Sequence, residues 1–327
     1  MSSTTGESSP LRTAVVGDPI EHSLSPVLMQ AGAGIKCQRI RVASGGLRSF
    51  LRLETAKRTS THWILPRSSG EIVETLRGLS VTMPLKVEAL ELANTVDPIA
   101  AKVGAVNTLA FAVSPELDSD ELNVTIRGYN TDVYGIIQAL ANAQAEHPRG
   151  SAGSPSPLNL SKAQAGQEAV ILGSGATACS ALGALTQMGF DEVTVCARRA
   201  LDQTDVPLVA QRLGVRVREW PLARAAEVVP ADGYLISTLP AHVADPLAGQ
   251  LEGRYLPELT VLDASYAEYP SKLMQTALAS GAKNAPGWWM LMYQGAKQIE
   301  IFTGRSADVQ AMRAALETHI SDLSTTL

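Results

Sequence analysis

Lys86 and Asp132 are the residues whose types and placement speak most directly of chemistry. Lys86 closes the run Gly-Leu-Ser-Val-Thr-Met-Pro-Leu-Lys at 78–86, and Asp132 closes Gly-Tyr-Asn-Thr-Asp at 128–132. A G-x-G-x-x-A fingerprint starts only at Gly173. Reduction of a carbonyl by a nicotinamide cofactor needs a hydride source and a group that protonates the developing alkoxide. Lys86 and Asp132 can serve as that acid-base pair, and the Gly173 loop can hold the hydride source. Taken singly, each has an ordinary reading: a lysine early in a helix is solvated, and an aspartate after Asn-Thr caps one. Asp132 can both cap and react. The order is informative, because most nicotinamide enzymes open with the cofactor loop and here a substrate-type segment comes first.

The fingerprint follows the apolar strand 168–172 as Gly173, Ser174, Gly175, Ala176, Thr177 and Ala178. The first glycine permits a tight turn and the second lets the backbone approach a pyrophosphate. Ala178 is small enough for the helix to pack on the sheet, and the helix N-terminus faces the phosphates. About twenty residues on, the strand at 193–197 ends in Arg198 and Arg199, where an NAD site carries an acid for the ribose hydroxyls. A guanidinium there forks onto a 2′-phosphate, so the expected cofactor is NADP (NADPH), with Arg198 the principal contact and Arg199 adding charge.

These segments must be positioned by a fold, and length and pattern constrain it. A chain of 327 residues accommodates two domains. With 45% hydrophobic residues and a net charge of −5, it reads as a globular cytoplasmic protein without a membrane span. Acidic residues outnumber basic ones, 32 to 27, which argues against nucleic acid as a partner. Three scattered cysteines read as reduced core thiols, and five histidines without ligand spacing predict no metal. Residues 1–10 read as a disordered tail. Strands are expected at 13–17, 35–42, 61–65, 79–82 and 105–113, the last pairing with 123–126. Helices are expected from Pro26 with Ser25 as cap, over 85–94, and from Asp132 to about Ala145. The Pro/Gly/Ser-rich stretch 147–166 reads as a flexible insertion. Beyond it strand and helix alternate at 168–173, 176–189, 192–197, 205–213, 215–219, 234–239 and 259–263, which predicts a doubly wound parallel sheet. Helices at 288–302 and 306–323 close the chain.

Five separated segments resemble shikimate dehydrogenases: His22-Ser-Leu-Ser-Pro26, Ser80-Val-Thr-Met-Pro-Leu-Lys86, Gly104-Ala-Val-Asn-Thr108, Asn130-Thr-Asp132 and Gly287-Trp-Trp-Met-Leu-Met-Tyr-Gln294. With the cofactor loop they occur in the family's order across nearly the whole chain. The resemblance implies an α/β fold of two domains: a substrate domain, 11–128 joined by 288–327, and a Rossmann-type NADP domain, 132–287. It implies that Ser23 and Ser25 bind a substrate carboxylate, that Thr82, Asn107 and Gln294 contact ring hydroxyls, and that Tyr266 lies near the substrate. It places Thr238 and Gly287 on the cofactor side and makes Lys86 and Asp132 catalytic. The implied activity is reversible reduction of 3-dehydroshikimate to shikimate with NADPH, in aromatic amino-acid biosynthesis, by a monomer or homodimer.

Departures from the family pattern are local. Ser80 stands where many relatives carry asparagine, Ala197 replaces an asparagine before the cofactor arginine, and Ala176-Thr177 alters the glycine-rich loop. Ile236-Ser-Thr-Leu-Pro240 runs into proline without the frequent Ser/Gly turn. The rival readings are a catabolic quinate/shikimate dehydrogenase favouring NAD, a methylene-tetrahydrofolate dehydrogenase, and a non-catalytic NADP-sensing regulator. Arg198 opposes the first, the serine pair with Gln294 the second, and the joint presence of Lys86 and Asp132 the third.

Overall fold

A computed structural model describes residues 11–116, 119–146, 166–266 and 269–325. The expected tail at 1–10 and, except for Gly166, the expected insertion lie outside the described residues.

The first half builds a mixed sheet from β1 (Arg12–Gly17), β2 (Lys36–Arg41), β3 (Lys57–Arg58), β4 (Trp63–Pro66), β5 (Gly78–Val81), β6 (Thr95–Val96), β7 (Thr108–Pro115) and β8 (Glu121–Tyr129). Their order is β2-β1-β5-β7-β8-β4-β3, with β6 beside β8. β1 pairs in parallel with β2 and β5, whereas β5, β7, β8, β4 and β3 pair antiparallel. β8 alternates in burial along its length, as a strand with one face on a core must. Helices α1 (Ser25–Ala33), α2 (Leu47–Phe50), α3 (Glu71–Thr75), α4 (Lys86–Leu92) and α5 (Pro98–Val103) connect these strands. The strand expected from Ala105 starts at Thr108, because Gly104 ends α5 in a left-handed turn and residues 105–107 carry the chain from it to the sheet. The cap expected of Ser25 is corrected: Ser25 is the first helical residue, and Leu24 holds the cap position without a side-chain bond.

From α6 (Thr131–Glu146) the chain passes to a second sheet of β9 (Glu168–Leu172), β10 (Glu192–Ala197), β11 (Arg216–Pro221), β12 (Asp232–Ser237), β13 (Glu258–Asp263) and β14 (Lys283–Pro286). All pairings are parallel, in the order β11-β10-β9-β12-β13-β14. Numbered from its own first strand this is 3-2-1-4-5-6, the doubly wound dinucleotide-binding order. Its central strands are apolar runs buried on both faces, as helices on either side require. The helices are α7 (Ala176–Gln187), α8 (Val206–Leu213), α9 (Asp245–Leu251) and α10 (Lys272–Ala279). β14, the polar Lys-Asn-Ala-Pro, has no strand pattern of its own; pairing with β13 makes it one.

The last helices, α11 (Gly287–Thr303) and α12 (Val309–Thr325), return to the first sheet. α1 packs on both. Phe302 of α11 lies against β5, where its ring atoms would meet a Cβ added at Gly78, and its carbonyl accepts from Arg77 Nε at 3.2 Å. α6 packs on α11 and also on α7, β13 and β14, so one apolar core runs between the two sheets. Each sheet has a second core on its far side, with Trp63, Leu79 and Ile126 in one and Leu172, Leu235 and Leu259 in the other. Among the described residues no helix is long and apolar enough to cross a membrane.

Candidate active site

A cavity of about 280 Å³ opens where the two sheets' C-terminal strand ends meet, a size suited to a small ligand. It is lined by residues from β1, β5, α1, α4, α6, α7 and α11.

Lys86 opens α4 and Asp132 is the second residue of α6, so two helix starts bring them together. Lys86 Nζ donates to Asp132 Oδ2 at 2.6 Å, with side chains 13% and 7% exposed, and both line the cavity. The N-terminus of α6 favours the carboxylate. Asp132 does not cap that helix. Asn130 does, its Oδ1 accepting from Val133 N at 3.3 Å, while Asp132 Oδ1 accepts from Asn107 Nδ2 at 2.8 Å. A half-buried ammonium with an opposed carboxylate, open to a cavity, can deliver a proton to a substrate oxygen and take it back.

The other expected substrate-side residues converge here. Ser23 and Ser25 hydroxyls lie 3.3 Å apart at the start of α1, and Ser23 Oγ accepts from the Ser25 amide at 3.4 Å. Arg39 Nε holds the Ser23 carbonyl at 2.8 Å from outside the cavity. Neutral hydroxyls at a helix start suit a carboxylate. Asn107 is buried with its Oδ1 accepting from Thr131 N and Thr108 Oγ1, each at 2.8 Å. Gln294 donates from Nε2 to the Leu291 carbonyl at 3.0 Å, and its Oε1 accepts from Thr131 Oγ1 at 3.2 Å, so one Nε2 proton remains for the cavity. Thr82 lines the cavity, as does half-buried Tyr266, whose phenol burial pushes above its ordinary range. Gln298 escaped the sequence reading. It is 1% exposed and lies one helical turn beyond Gln294, the spacing that could have flagged it.

In the expected cofactor loop Gly173 has φ +107°, and an added Cβ would lie 2.5 Å from Thr238 Oγ1. Thr238 is fixed there by donating from both N and Oγ1 to the Leu172 carbonyl, at 2.9 and 2.8 Å. Gly175 is exposed with open space where its Cβ would be, which leaves room for a phosphate to reach the α7 N-terminus. Thr177, in the first turn of α7, lines the main cavity, so this loop reaches the same space as Lys86. Arg198 follows β10 and lines a second, mainly apolar cavity of about 280 Å³ with Leu172, Leu222, Leu239 and Leu247. None of that cavity's lining residues is acidic, so the donor set fits a phosphorylated nucleotide. Arg199 is exposed and lines neither cavity. Gly287 lines the main cavity, but its lack of a side chain is demanded by packing: a Cβ would lie 2.5 Å from the Asp263 carbonyl.

Cys179 and Cys196 are buried thiols pushed up to about 12 by burial, and half-buried Cys37 is raised for the same reason. Of the three cysteines expected in the core, Cys179 and Cys196 are buried and Cys37 is half-buried.

Comparison with known proteins adds an independent line. Residues 15–109 match the family model for the shikimate dehydrogenase substrate binding domain, and residues 287–317 match that for the shikimate 5'-dehydrogenase C-terminal domain. A shikimate dehydrogenase (NADP(+)) of Halobacterium salinarum is 32% identical over 309 residues, covering 94% of this chain and 98% of the relative. The crystal structure of Mycobacterium tuberculosis shikimate dehydrogenase superposes with a TM-score of 0.69 at 29% identity, covering 94% of this chain and 100% of that one. The enzyme of Thermus thermophilus, in complex with NADP(H) and shikimate, shares the fold with a TM-score of 0.67 at 24% identity, over 94% and 99% of the two chains. In the order of its strands, the convergence of its motifs and its full-length relatives, the chain belongs to the shikimate dehydrogenase family.

Proposed function

We propose that this protein is an NADP-dependent oxidoreductase that reversibly reduces 3-dehydroshikimate to shikimate, in the biosynthesis of aromatic amino acids. The observation that carries the reading is the Lys86–Asp132 pair, 2.6 Å apart in a cavity that the α7 loop also lines. Ser23 and Ser25 take the substrate carboxylate, and Thr82, Asn107 and Gln294 face its ring hydroxyls, with Tyr266 beside the ring. Gly173 to Thr177, Thr238, Arg198 and Arg199 hold the cofactor, Gly287 borders it, and Arg198 takes the 2′-phosphate. Bound NADPH supplies the hydride for the carbonyl carbon. Lys86 donates its Nζ proton to the substrate oxygen as negative charge develops there, which makes it the product hydroxyl, and is left as a neutral amine that solvent reprotonates. In the oxidative direction the same amine accepts the hydroxyl proton. Asp132 fixes the Nζ position, and its second oxygen is held by Asn107.

In this reading residues 11–128 with 288–327 act as the substrate domain and 132–287 as the NADP domain, with chemistry between them. The protein works in the cytoplasm as a monomer or homodimer, with no nucleic-acid partner. Initial rates with shikimate and quinate, each against NADP and NAD, test the assignment. Oxidation of shikimate with NADP should be the most efficient of the four. Quinate should be used weakly, since an added hydroxyl is rejected by shape only on the order of 10²-fold. Highest efficiency with quinate and NAD would make the enzyme catabolic.

A further inference from the structure

The buried polar network behind the cavity has a direction, because backbone groups fix which way each amide points. Gln298 Nε2 donates to the Asn107 carbonyl at 3.2 Å and to Thr108 Oγ1 at 2.9 Å. A carbonyl oxygen only accepts, so the amide cannot be reversed. Gln298 Oε1 therefore faces Ser80, whose Oγ lies 2.8 Å away and must donate to it. A second anchor agrees with the first: the Thr131 amide donates to Asn107 Oδ1, which turns Asn107 Nδ2 toward Asp132. Thr108 then donates to Asn107 Oδ1 and accepts from Gln298. Every link runs consistently from Ser80 to Asp132.

The consequence lies at Ser80, which lines the cavity and is 4% exposed. A serine hydroxyl has one proton, and Gln298 takes it. Only lone pairs remain for a ligand. We propose that Gln298 is a positioning residue that fixes Ser80 as an acceptor, so that this part of the cavity selects a substrate bearing a hydroxyl donor opposite Ser80. The inference rests on the reading that the cavity holds a shikimate-type polyol. It assigns a specificity role to a residue that need not touch the substrate. Sharing the Ser80 proton with nothing else also keeps that hydroxyl from turning to serve a substrate acceptor.

The test uses the whole enzyme with shikimate, with two analogues each lacking one of the two ring hydroxyls that do not react, and with the corresponding fluoro analogues. In the unmodified enzyme one deoxy analogue should lose about tenfold or more in kcat/KM, and its fluoro counterpart should fare no better, because fluorine cannot donate. Ser80→Ala and Gln298→Met should each raise the KM for shikimate about tenfold, leave kcat within about threefold and the KM for NADP unchanged, and reduce that analogue's penalty to about threefold or less. The double variant should add little to Ser80→Ala. The fluoro comparison needs no variant and stands even if Gln298→Met fails to fold. Both fluoro analogues used as well as shikimate, or a folded Gln298→Met with wild-type selectivity, overturns the proposal. An unmodified enzyme inactive on shikimate overturns the underlying functional reading instead.

Discussion

Replacing Lys86 by methionine removes the ammonium and keeps most of the side-chain volume, so it separates proton delivery from packing. The pair's 2.6 Å contact corresponds to a gross attraction of about 6 kcal/mol at an effective dielectric near 20. Taking both groups out of water offsets most of that. A net coupling of about 1–3 kcal/mol is expected from a double-mutant cycle with Asp132→Asn, followed by thermal unfolding of the four proteins. The Asp132→Asn half is not benign. Its single carbonyl oxygen must choose between Lys86 Nζ and Asn107 Nδ2, and Asn107 cannot turn away because the Thr131 amide and Thr108 Oγ1 hold its oxygen. One donor is left facing an NH2 group, at a cost of about 1–3 kcal/mol. In kinetics Lys86→Met should lower kcat by roughly 10²–10⁴, which is about 3–5 kcal/mol of barrier, while the KM for shikimate and NADP changes little. Asp132→Asn should also lose turnover, because Lys86 is no longer held. A folded Lys86→Met enzyme turning over within tenfold of the unmodified protein would refute the assignment, since the proton would then come from elsewhere.

Arg198→Asp should cut kcat/KM with NADP by about 10–10²-fold, mainly through KM, while leaving NAD little affected; initial rates with each cofactor check it, and unchanged preference removes Arg198 from phosphate recognition. Gly287→Ala should destabilise the protein by about 1–3 kcal/mol, visible as a lower Tm, because its Cβ meets the Asp263 carbonyl and Ala264 at 2.5 and 2.8 Å. It should also impair shikimate oxidation, since α11 carries Gln294 and Gln298. Cys179 and Cys196, with folded pKa values of about 12, should resist iodoacetamide at pH 8 in the native enzyme and react on unfolding, as read by mass spectrometry. A folded pKa above the unfolded one of about 9 stabilises the native state below that pH, and the benefit is lost as pH rises toward 12, so alkaline unfolding should ease in this window.

The second sheet was legible because its central strands are unbroken apolar runs spaced by helices, and continuous burial leaves that mark in sequence. What escaped notice there were α9, α10 and β14, whose existence rests on packing and on pairing with β13. In the first sheet the two-residue strands β3 and β6 and the short helices α3 and α5 have no period to detect. The pairing of Lys86 with Asp132 could be anticipated from chemistry, whereas the cap on α6 could not: Asn130 and Asp132 are equally good candidates until the helix start is placed. Gln298 was invisible for another reason. A buried amide among apolar neighbours carries no sequence signal beyond its distance of four from Gln294, and its meaning comes from partners at Ser80, Asn107 and Thr108.

The seating of Phe302 against β5 sets a schedule for synthesis. Arg77 and Phe302 are joined by a hydrogen bond but separated by 225 positions, and Ser80 and Gln298 by 218. At translation rates of about 5–20 residues per second, β5 waits about 10–45 s for the helix that covers it. The nascent first half therefore emerges with a bare apolar face and an unpaired serine, while β9 to β14 emerge as a sheet whose strands follow closely on one another. The half of the molecule made first is the one completed last, and until α11 arrives its exposed face is what a chaperone would meet.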